Sequence, residues 1–416
     1  MAISLIANQE TTRRHGRRWV THLLQNLPRL VWHASAVSVP GALKGQMAII
    51  VGAGPSLDRN REDLERFRDR ALIIGVNSST RAVVCDVNVC LESNDIRPKL
   101  GTDARFKCYS TVCPPEHFEH GSGETAPIWS GELGLLPSQL TGVERVHTSV
   151  GGTSAALSLA LHWGCDPIVL VGQDLAYTDG RIYAVSAGHS TSVLADGTLD
   201  WGQWSAMERP ENPLPQQISL LEAVAWSGAG TVQTDIGLAA VARFLSETPD
   251  DARTLINATE GGVHIPRWAD THLCQVPTPS PTRPPWALLR SALALRPPAV
   301  IWQDRGGFKA LRAWRDDHIE ALDMIAQLGV VIQDASGEQL VAYGRLLLEG
   351  LAACRLLETW SYDGILALAR FRQAQRPGGP AEELAAAGQD LKDAAVILAK
   401  DAVSLADLLR SMRYEP

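Results

Sequence analysis

No apolar run in this chain approaches the ~20 residues that a bilayer-spanning helix requires, and even the small-residue stretch Ala155–Trp163 is interrupted by His162. A surplus of positive charge is missing as well. Lys and Arg number 38 against 46 Asp and Glu, a net charge of -8. That argues against a general nucleic-acid binder, because phosphate contacts need cations in excess, but it leaves room for one local pocket that takes a single nucleotide. Cysteine is sparse and odd in number, seven in all. Cys85 with Cys90 and Cys108 with Cys113 are too widely spaced for a zinc knuckle, and His117 and His120 after Cys113 have no fourth ligand nearby. Buried free thiols in a reducing compartment are therefore expected, and a metal is not. The start of the chain places Arg13-Arg14-His15-Gly16-Arg17-Arg18 after its short apolar stretch, the reverse of a secretory leader. These absences point to a soluble, cytoplasmic protein.

The composition that remains, 45% hydrophobic and 20% charged over 416 residues, excludes disorder and suffices for a large domain with a smaller one. Residues 1–44 read as a helical lead-in, with Trp19, Leu23, Leu27 and Leu30 near helical spacing and a break at Pro28. From 45 to 276 short apolar runs alternate with helical patterns. Met47–Val51, Ala71–Val76, Asp86–Leu91, Val143–His147, Pro167–Gly172 and Gly230–Asp235 predict strands. Asp58–Arg70, Gly152–Trp163, 217–227 and Gly237–Ser246 predict helices. This alternation defines an α/β class with a doubly wound, Rossmann-like parallel sheet. Residues 277–285 form a proline-rich linker. Beyond it, 286–416 carries helical spacing over Ala310–Leu328, Glu338–Trp360 and Ala381–Leu409, which predicts a C-terminal helical bundle.

Chemistry concentrates where strands end. Val51-Gly52-Ala53-Gly54-Pro55-Ser56-Leu57-Asp58 follows a buried strand and precedes a predicted helix. Glycines there let a backbone approach a phosphate, helix-start N–H groups favour the anion, and Ser56 adds a hydroxyl donor. The loop lacks the third glycine of a dinucleotide fingerprint and the Lys-Ser or Lys-Thr of a Walker loop. On this reading a Gly54→Val change removes nucleotide binding and spares the fold. Ser149-Val150-Gly151-Gly152-Thr153-Ser154 opens a small-residue helix and offers a second nest of donors. Gly172-Gln173-Asp174-Leu175-Ala176-Tyr177 leaves another strand at the side where open α/β sheets bind ligands. Asp174 there suits ribose hydroxyls, a base or a metal. Asn257-Ala258-Thr259-Glu260-Gly261-Gly262 ends a further strand in the same manner.

Gly-x-Gly-Pro-Ser-Leu, Gly-Gln-Asp-Leu-Ala-Tyr and Asn-Ala-Thr-Glu-Gly-Gly, in that order, resemble the motility accessory factor family of flagellin glycosyltransferase-like proteins. The resemblance covers residues ~45 to ~270 by motif order and fold logic. It implies transfer of a nonulosonic, sialic-acid-like sugar from a CMP-activated donor to Ser or Thr of a protein acceptor such as flagellin, with no cofactor and no metal. The same stretch is similar, more distantly, to bacterial sialyltransferases. That similarity implies nucleotide contacts from Gly52, Gly54, Pro55, Ser56, Asn77, Ser149 and Gly151; the donor nest itself adds Gly152 and Thr153, and Gln173, Thr259 and Glu260 are further site candidates at the other strand ends. It also implies that Tyr177 and Tyr183 hydrogen-bond the departing phosphate. His189 or Asp174 would take the acceptor proton, His189 standing closer along the chain than the family's spacing has it.

Two alternatives stay open. The Gly-Pro-Ser-Leu loop is also similar to that of archaeal 6-hydroxymethyl-dihydropterin pyrophosphokinases, which move pyrophosphate from ATP with Mg²⁺. Their acidic pattern after the third strand is thinner here, with only Glu92 and Asp95 in Cys90-Leu91-Glu92-Ser93-Asn94-Asp95. A non-catalytic nucleotide-sugar-binding accessory protein is the third reading.

Overall fold

The four residues Ala48–Val51 (β1) have no polar face, so neither side of such a strand can meet water. It lies at the centre of the sheet, paired in parallel with Leu72–Val76 (β2) on one side and Ile168–Val171 (β6) on the other. The computed structural model describes residues 2–148, 151–178, 180–188, 194–195, 198–199, 220–247, 253–295, 307–335, 337–361, 363–365, 368 and 381–412. Val87–Cys90 (β3), Phe106–Tyr109 (β4) and Glu124–Thr125 (β5) continue the sheet beyond β2. Leu194–Ala195 (β7) and Thr198–Leu199 (β8) form a small separate hairpin, as do Leu221–Val224 (β9) and Thr231–Thr234 (β10). Leu255–Asn257 (β11) and Ala269–Asp270 (β12) extend the main sheet beyond β6.

The main sheet is therefore eight-stranded in the order β12-β11-β6-β1-β2-β3-β4-β5, and each of its pairings is parallel. Chain progression runs one way from β1 to β5 and the other way from β6 to β12. The crevice past the carboxyl ends of β1 and β6 is thus a topological switch point, where ligands bind in open sheets of this kind. Parallel strands need both faces covered, which explains why the central strands β1, β2 and β6 are unbroken apolar runs and not alternating ones.

The chain divides into two compact units. The first contains residues 1–7 and 32–299 and the second residues 8–31 and 300–416. In the first unit the sheet carries Leu57–Asn60 (α2, following the long helix Ala2–Leu30, α1), Ser79–Ala82 (α3), Leu135–Thr141 (α4), Gly152–His162 (α5), Ile236–Ser246 (α6) and Pro285–Ala294 (α7). Helix α5 lies against β1, β2 and β3. Its small residues Ala155, Ala156 and Ala160 are fully buried, so the helix axis can approach the sheet closely. Trp163 closes its C-terminal end, fully buried, with its indole N–H on the Ala36 carbonyl at 2.8 Å. In the second unit Gly307–Asp334 (α8), Gly337–Ala353 (α9), Arg355–Trp360 (α10) and Ala381–Ser411 (α11) form the helical part. Gln333 pairs with Lys392 and Asp323 with Arg410, a register that makes α8 and α11 antiparallel.

Four expectations are corrected. The segment within 217–227 that can be compared is strand β9, because Gly228 and Gly230 adopt φ of 76° and 79° and turn the chain back into β10. The helix expected over Asp58–Arg70 is one α turn followed by 3₁₀ turns over Arg61–Phe67. Val143–His147 makes only a single bridge, between Val146 and Ser130. The domain limits move too. The linker and α7 belong to the α/β unit, where Trp286 donates to Asp69 at 2.7 Å and Arg105 lies 3.9 Å from its ring. Residues 8–31 of α1 belong instead to the helical unit, through the Arg17 ion pair with Asp401 and the Arg17 bond to the Trp360 carbonyl.

Trp163 provides a test of how the first unit is held together. Trp163→Ala is expected to cost about 3–5 kcal/mol, and Trp163→Phe markedly less, since it keeps most of the volume and loses one hydrogen bond. Urea denaturation of the two variants measures this; equal losses would mean that volume is not what the site requires.

Candidate functional site

A cavity of about 350 Å³ opens at the switch point, within the size range of small-molecule sites. The ends of four strands and two helices form its wall. Gly52–Gly54 come from β1, Val76–Ser78 from β2, Glu92 and Asn94–Ile96 from β3, and Gly172–Ala176 from β6. Gly151–Thr153 of α5, Leu238 and Val241 of α6, Ile182, Tyr183 and Lys99 complete it.

At the base of the cavity sits Asp174, 1% exposed. Its carboxylate accepts the Ser56 hydroxyl at 2.7 Å, the Ser56 N–H at 3.2 Å and the Thr178 hydroxyl at 2.8 Å. Burial pushes the carboxyl above its ordinary value, with the Ser56 and Thr178 hydrogen bonds and the charge of Arg59 working against that rise. Two glycines are dictated by this residue. A Cβ on Gly54 would lie 2.0 Å from Asp174 Oδ1, and one on Gly262, which also has φ +71°, would lie 1.9 Å from the Asp174 carbonyl oxygen.

The Gly-Pro-Ser loop accordingly differs from its expected role. Three of its N–H groups are engaged within the protein: Gly52 donates to the Val171 carbonyl and Gly54 to the Gly172 carbonyl, both at 2.8 Å, and Leu57 to the Gly54 carbonyl. Ser56 is fully buried on Asp174, so its hydroxyl faces away from any ligand, and Pro55 is buried as well. Helix α2 is a single turn, too short to direct a useful dipole. The carboxylate behind Gly54 is thus enough by itself to require glycine there, and Gly54 also lines the cavity.

The helix start suited to an anion is that of α5. Eleven residues long, it starts at Gly152 with no acidic residue in its first turn and no side-chain cap, and the first turn of a helix leaves N–H groups without intrahelical partners. Around that start lie two buried amide atoms, Asn77 Oδ1 and Gln173 Nε2, that have no hydrogen-bond partner among the described residues. Both residues are held in place by their other atoms. Gln173 Oε1 accepts the Thr153 hydroxyl at 2.9 Å and the Gln173 N–H donates to the Thr259 hydroxyl at 3.2 Å. Asn77 sits at φ 48° and donates its N–H to the Val89 carbonyl. Leu175, also in the wall, is held at φ 50°, a strained value for a branched side chain.

The remaining expected residues divide. Tyr183 lines the cavity; Tyr177 does not, because its hydroxyl donates to Asp235 Oδ2 at 2.6 Å while Asp235 Oδ1 caps α6 through the Gly237 and Leu238 N–H groups. Glu260 is tied to His272 and the Leu273 N–H, away from the wall. Ser149 and His189 lie outside the described residues. The loop that leads to His189 is anchored, however: Asp58 accepts the Val185 and Ser186 N–H groups at 2.9 and 3.0 Å, and Ala184 donates to the Ala53 carbonyl. Asp58 was read only as a helix residue. Its place directly after the Gly-Pro-Ser-Leu turn is the one sequence signal that marked it.

Residues 21–180 match the family model described as 6-hydroxymethylpterin diphosphokinase MptE-like. The solved structure of the MAf glycosyltransferase from Magnetospirillum magneticum AMB-1 is similar with a TM-score of 0.60 at 13% identity, over 95% of this chain and 61% of that one. This chain thus spans about three fifths of the length of that protein. No curated protein matches it by sequence. Residues 21–180 are thus similar to an MptE-like domain, and the fold is the one the MAf glycosyltransferase adopts, in agreement with the motility accessory factor resemblance of the motifs. Among the described residues, no helix is long and apolar enough to cross a membrane.

Two outcomes are expected around Asp174. Gly54→Ala should destabilise the protein by about 1–3 kcal/mol, and the penalty should shrink by at least about 0.5 kcal/mol in an Asp174→Gly background, a coupling that a double-mutant cycle in urea measures. A raised folded carboxyl value also fixes a sign. The favourable contribution is present below the unfolded value of about 4 and is lost as pH rises through the folded one, so wild type should lose stability relative to Asp174→Asn over that interval. The opposite slope would mean that Asp174 is stabilised as an anion.

Proposed function

We propose that the chain is a glycosyltransferase that binds a CMP-activated nonulosonic sugar at the switch-point cavity and transfers it to a serine or threonine of a protein acceptor, flagellin being the candidate. The observation that carries this reading is the pair of unpartnered amide atoms, Asn77 Oδ1 and Gln173 Nε2, beside the start of α5. A nucleotide offers a hydrogen-bonding edge and a phosphate together, and this wall offers complementary groups for both. The likeness to the MAf glycosyltransferase supports the transferase class through the fold.

In the proposed reaction the acceptor hydroxyl oxygen attacks the anomeric carbon of the sugar. The bond from that carbon to the phosphate oxygen breaks, and CMP departs with the electron pair. The N–H groups of Gly151–Thr153 and the Tyr183 hydroxyl stabilise the charge that builds on the phosphate. The acceptor proton goes to His189, whose ordinary value of about 6.5 leaves it mostly neutral near pH 7. Asp174 suits that role less well because both its oxygens already accept hydrogen bonds from Ser56 and Thr178. No step in this sequence calls for a metal.

One observation favours the pyrophosphokinase reading: Glu92 and Asp95 line the same wall as Asp174. A magnesium ion there would compete with existing partners, since Glu92 accepts from Asn94 at 2.9 Å and Asp95 holds Arg97 at 2.6 Å.

Thermal shift with CMP, ATP plus Mg²⁺, and GDP separates the readings, since a ligand raises stability by mass action; CMP should give the largest shift without added divalent ion. A larger ATP–Mg²⁺ shift would favour the pyrophosphokinase. For the base, His189→Ala should keep CMP affinity nearly unchanged and cut transfer by roughly 10²–10⁴-fold. Full transfer by that variant would remove His189 from the mechanism, and CMP binding with no turnover by wild type would point to an accessory role.

A further inference from the structure

Behind the Glu92–Ile96 rim of the cavity three soft ligands meet. Cys90 ends β3, Cys113 lies in the turn after β4, and His117 closes a 3₁₀ turn over Pro115–His117. All three are fully buried. Their Sγ, Sγ and imidazole nitrogen atoms lie within 4.8 Å of one another, with Cys90 Sγ 3.9 Å from His117 Nδ1. Neither of the spaced cysteine pairs in the sequence is used. The sheet instead places Cys90 beside the Cys113-x-x-x-His117 stretch, and His120 turns away to the Leu100 carbonyl.

We propose that Cys90, Cys113 and His117 form a zinc site of three protein ligands, its fourth tetrahedral position left to a water, that ties the acidic rim of the cavity to the segment following β4. A tetrahedral zinc with S and N bonds of about 2.3 and 2.0–2.1 Å separates those ligand atoms by roughly 3.6 Å, so the observed 3.9 Å requires little movement. Two thiolates and a neutral imidazole balance the charge of Zn²⁺, which a buried setting demands. Thiolate and imidazole donors select zinc over magnesium, whose ligands are oxygens.

The surroundings fit a ligating histidine. Its far nitrogen, Nε2, lies 3.4 Å from Asp95 Oδ1, and metal-bound histidines characteristically donate that second N–H to a carboxylate. Without metal Nε2 accepts the Ile96 N–H at 3.1 Å; metal on Nδ1 puts the proton on Nε2 and turns the bond towards Asp95. Zinc at this place would therefore fix Asp95 and Ile96, two residues of the cavity wall, without touching a ligand in the cavity. None of the three ligands lines it, and the proposal stands independently of the donor nucleotide.

The test is metal analysis of the full-length chain, expressed with zinc in the medium and desalted under reducing conditions. About one zinc per chain is expected, falling below about 0.2 in Cys113→Ser and His117→Gln and unchanged in Cys274→Ser, whose cysteine is exposed. Reconstitution of metal-stripped wild type with Co²⁺ alone should give thiolate-to-cobalt charge-transfer bands and tetrahedral d–d bands, a readout that remains should the variants fail to fold. Wild type with no zinc and no such cobalt bands overturns the proposal. So does a two-dalton mass loss from a Cys90–Cys113 disulfide in protein that takes up no zinc once reduced.

Discussion

The carboxylate of Asp174 is the constraint around which the α/β unit closes. Three loops, after β1, β6 and β11, must converge at the switch point, and each would expose backbone polar groups if it ended there alone. Asp174 answers this from the middle loop. It accepts the Ser56 N–H and hydroxyl from the first, and its own carbonyl takes the Val263 N–H of the third. The glycines follow from that: backbone and carboxylate approach so closely that a side chain on Gly54 or Gly262 would overlap them. A buried carboxylate is costly unless its lone pairs are matched, and here the hydroxyls of Ser56 and Thr178 supply the match. The floor of the cavity is thereby rigid before any ligand arrives.

The parallel sheet was legible because its strands are buried on both faces, and continuous runs such as Ala48–Val51 and Ile168–Val171 admit little else. Shorter elements were not. β9 reads as helix since Leu221, Ala223 and Val224 fit either period, and only Gly228 and Gly230 decide for a hairpin. Residues 8–31 look like a free lead-in because their partners Trp360 and Asp401 are more than 300 positions away, and such separation leaves no local trace. The positions of the site were legible in part. The strand ends meet, and Gly52, Gly54, Asn77, Gly151, Gly152, Thr153, Gln173, Asp174 and Tyr183 share one cavity wall. The roles within it were not legible, because a serine in a glycine loop gives the same sequence signal whether its hydroxyl faces a phosphate or an aspartate.

Tyr177 and Tyr183 show the same limit at higher resolution. Six residues apart on one loop, they carry the same hydroxyl. Tyr177 meets Asp235, which already caps α6, and the pair fixes that helix against the loop. Tyr183 has the cavity in front of it. What separates them is one carboxylate 58 positions downstream, a partner that no local spacing could indicate.

The division between scaffold and wall also bears on what the Gly-x-Gly-Pro-Ser-Leu motif can say. If its glycines and serine answered to a phosphate, the motif would carry information about the donor. They answer to Asp174 and to the Gly172 carbonyl instead, so the motif reports how the β1 and β6 loops are locked together. A pterin diphosphokinase-like domain and a glycosyltransferase fold can then share such a lock whatever their substrates. The residues that can distinguish one substrate from another lie elsewhere on the wall: the amides of Asn77 and Gln173, the start of α5, and the acidic rim from Glu92 to Asp95. Substrate identity in this fold is therefore to be read from the wall, and the motif from the floor beneath it.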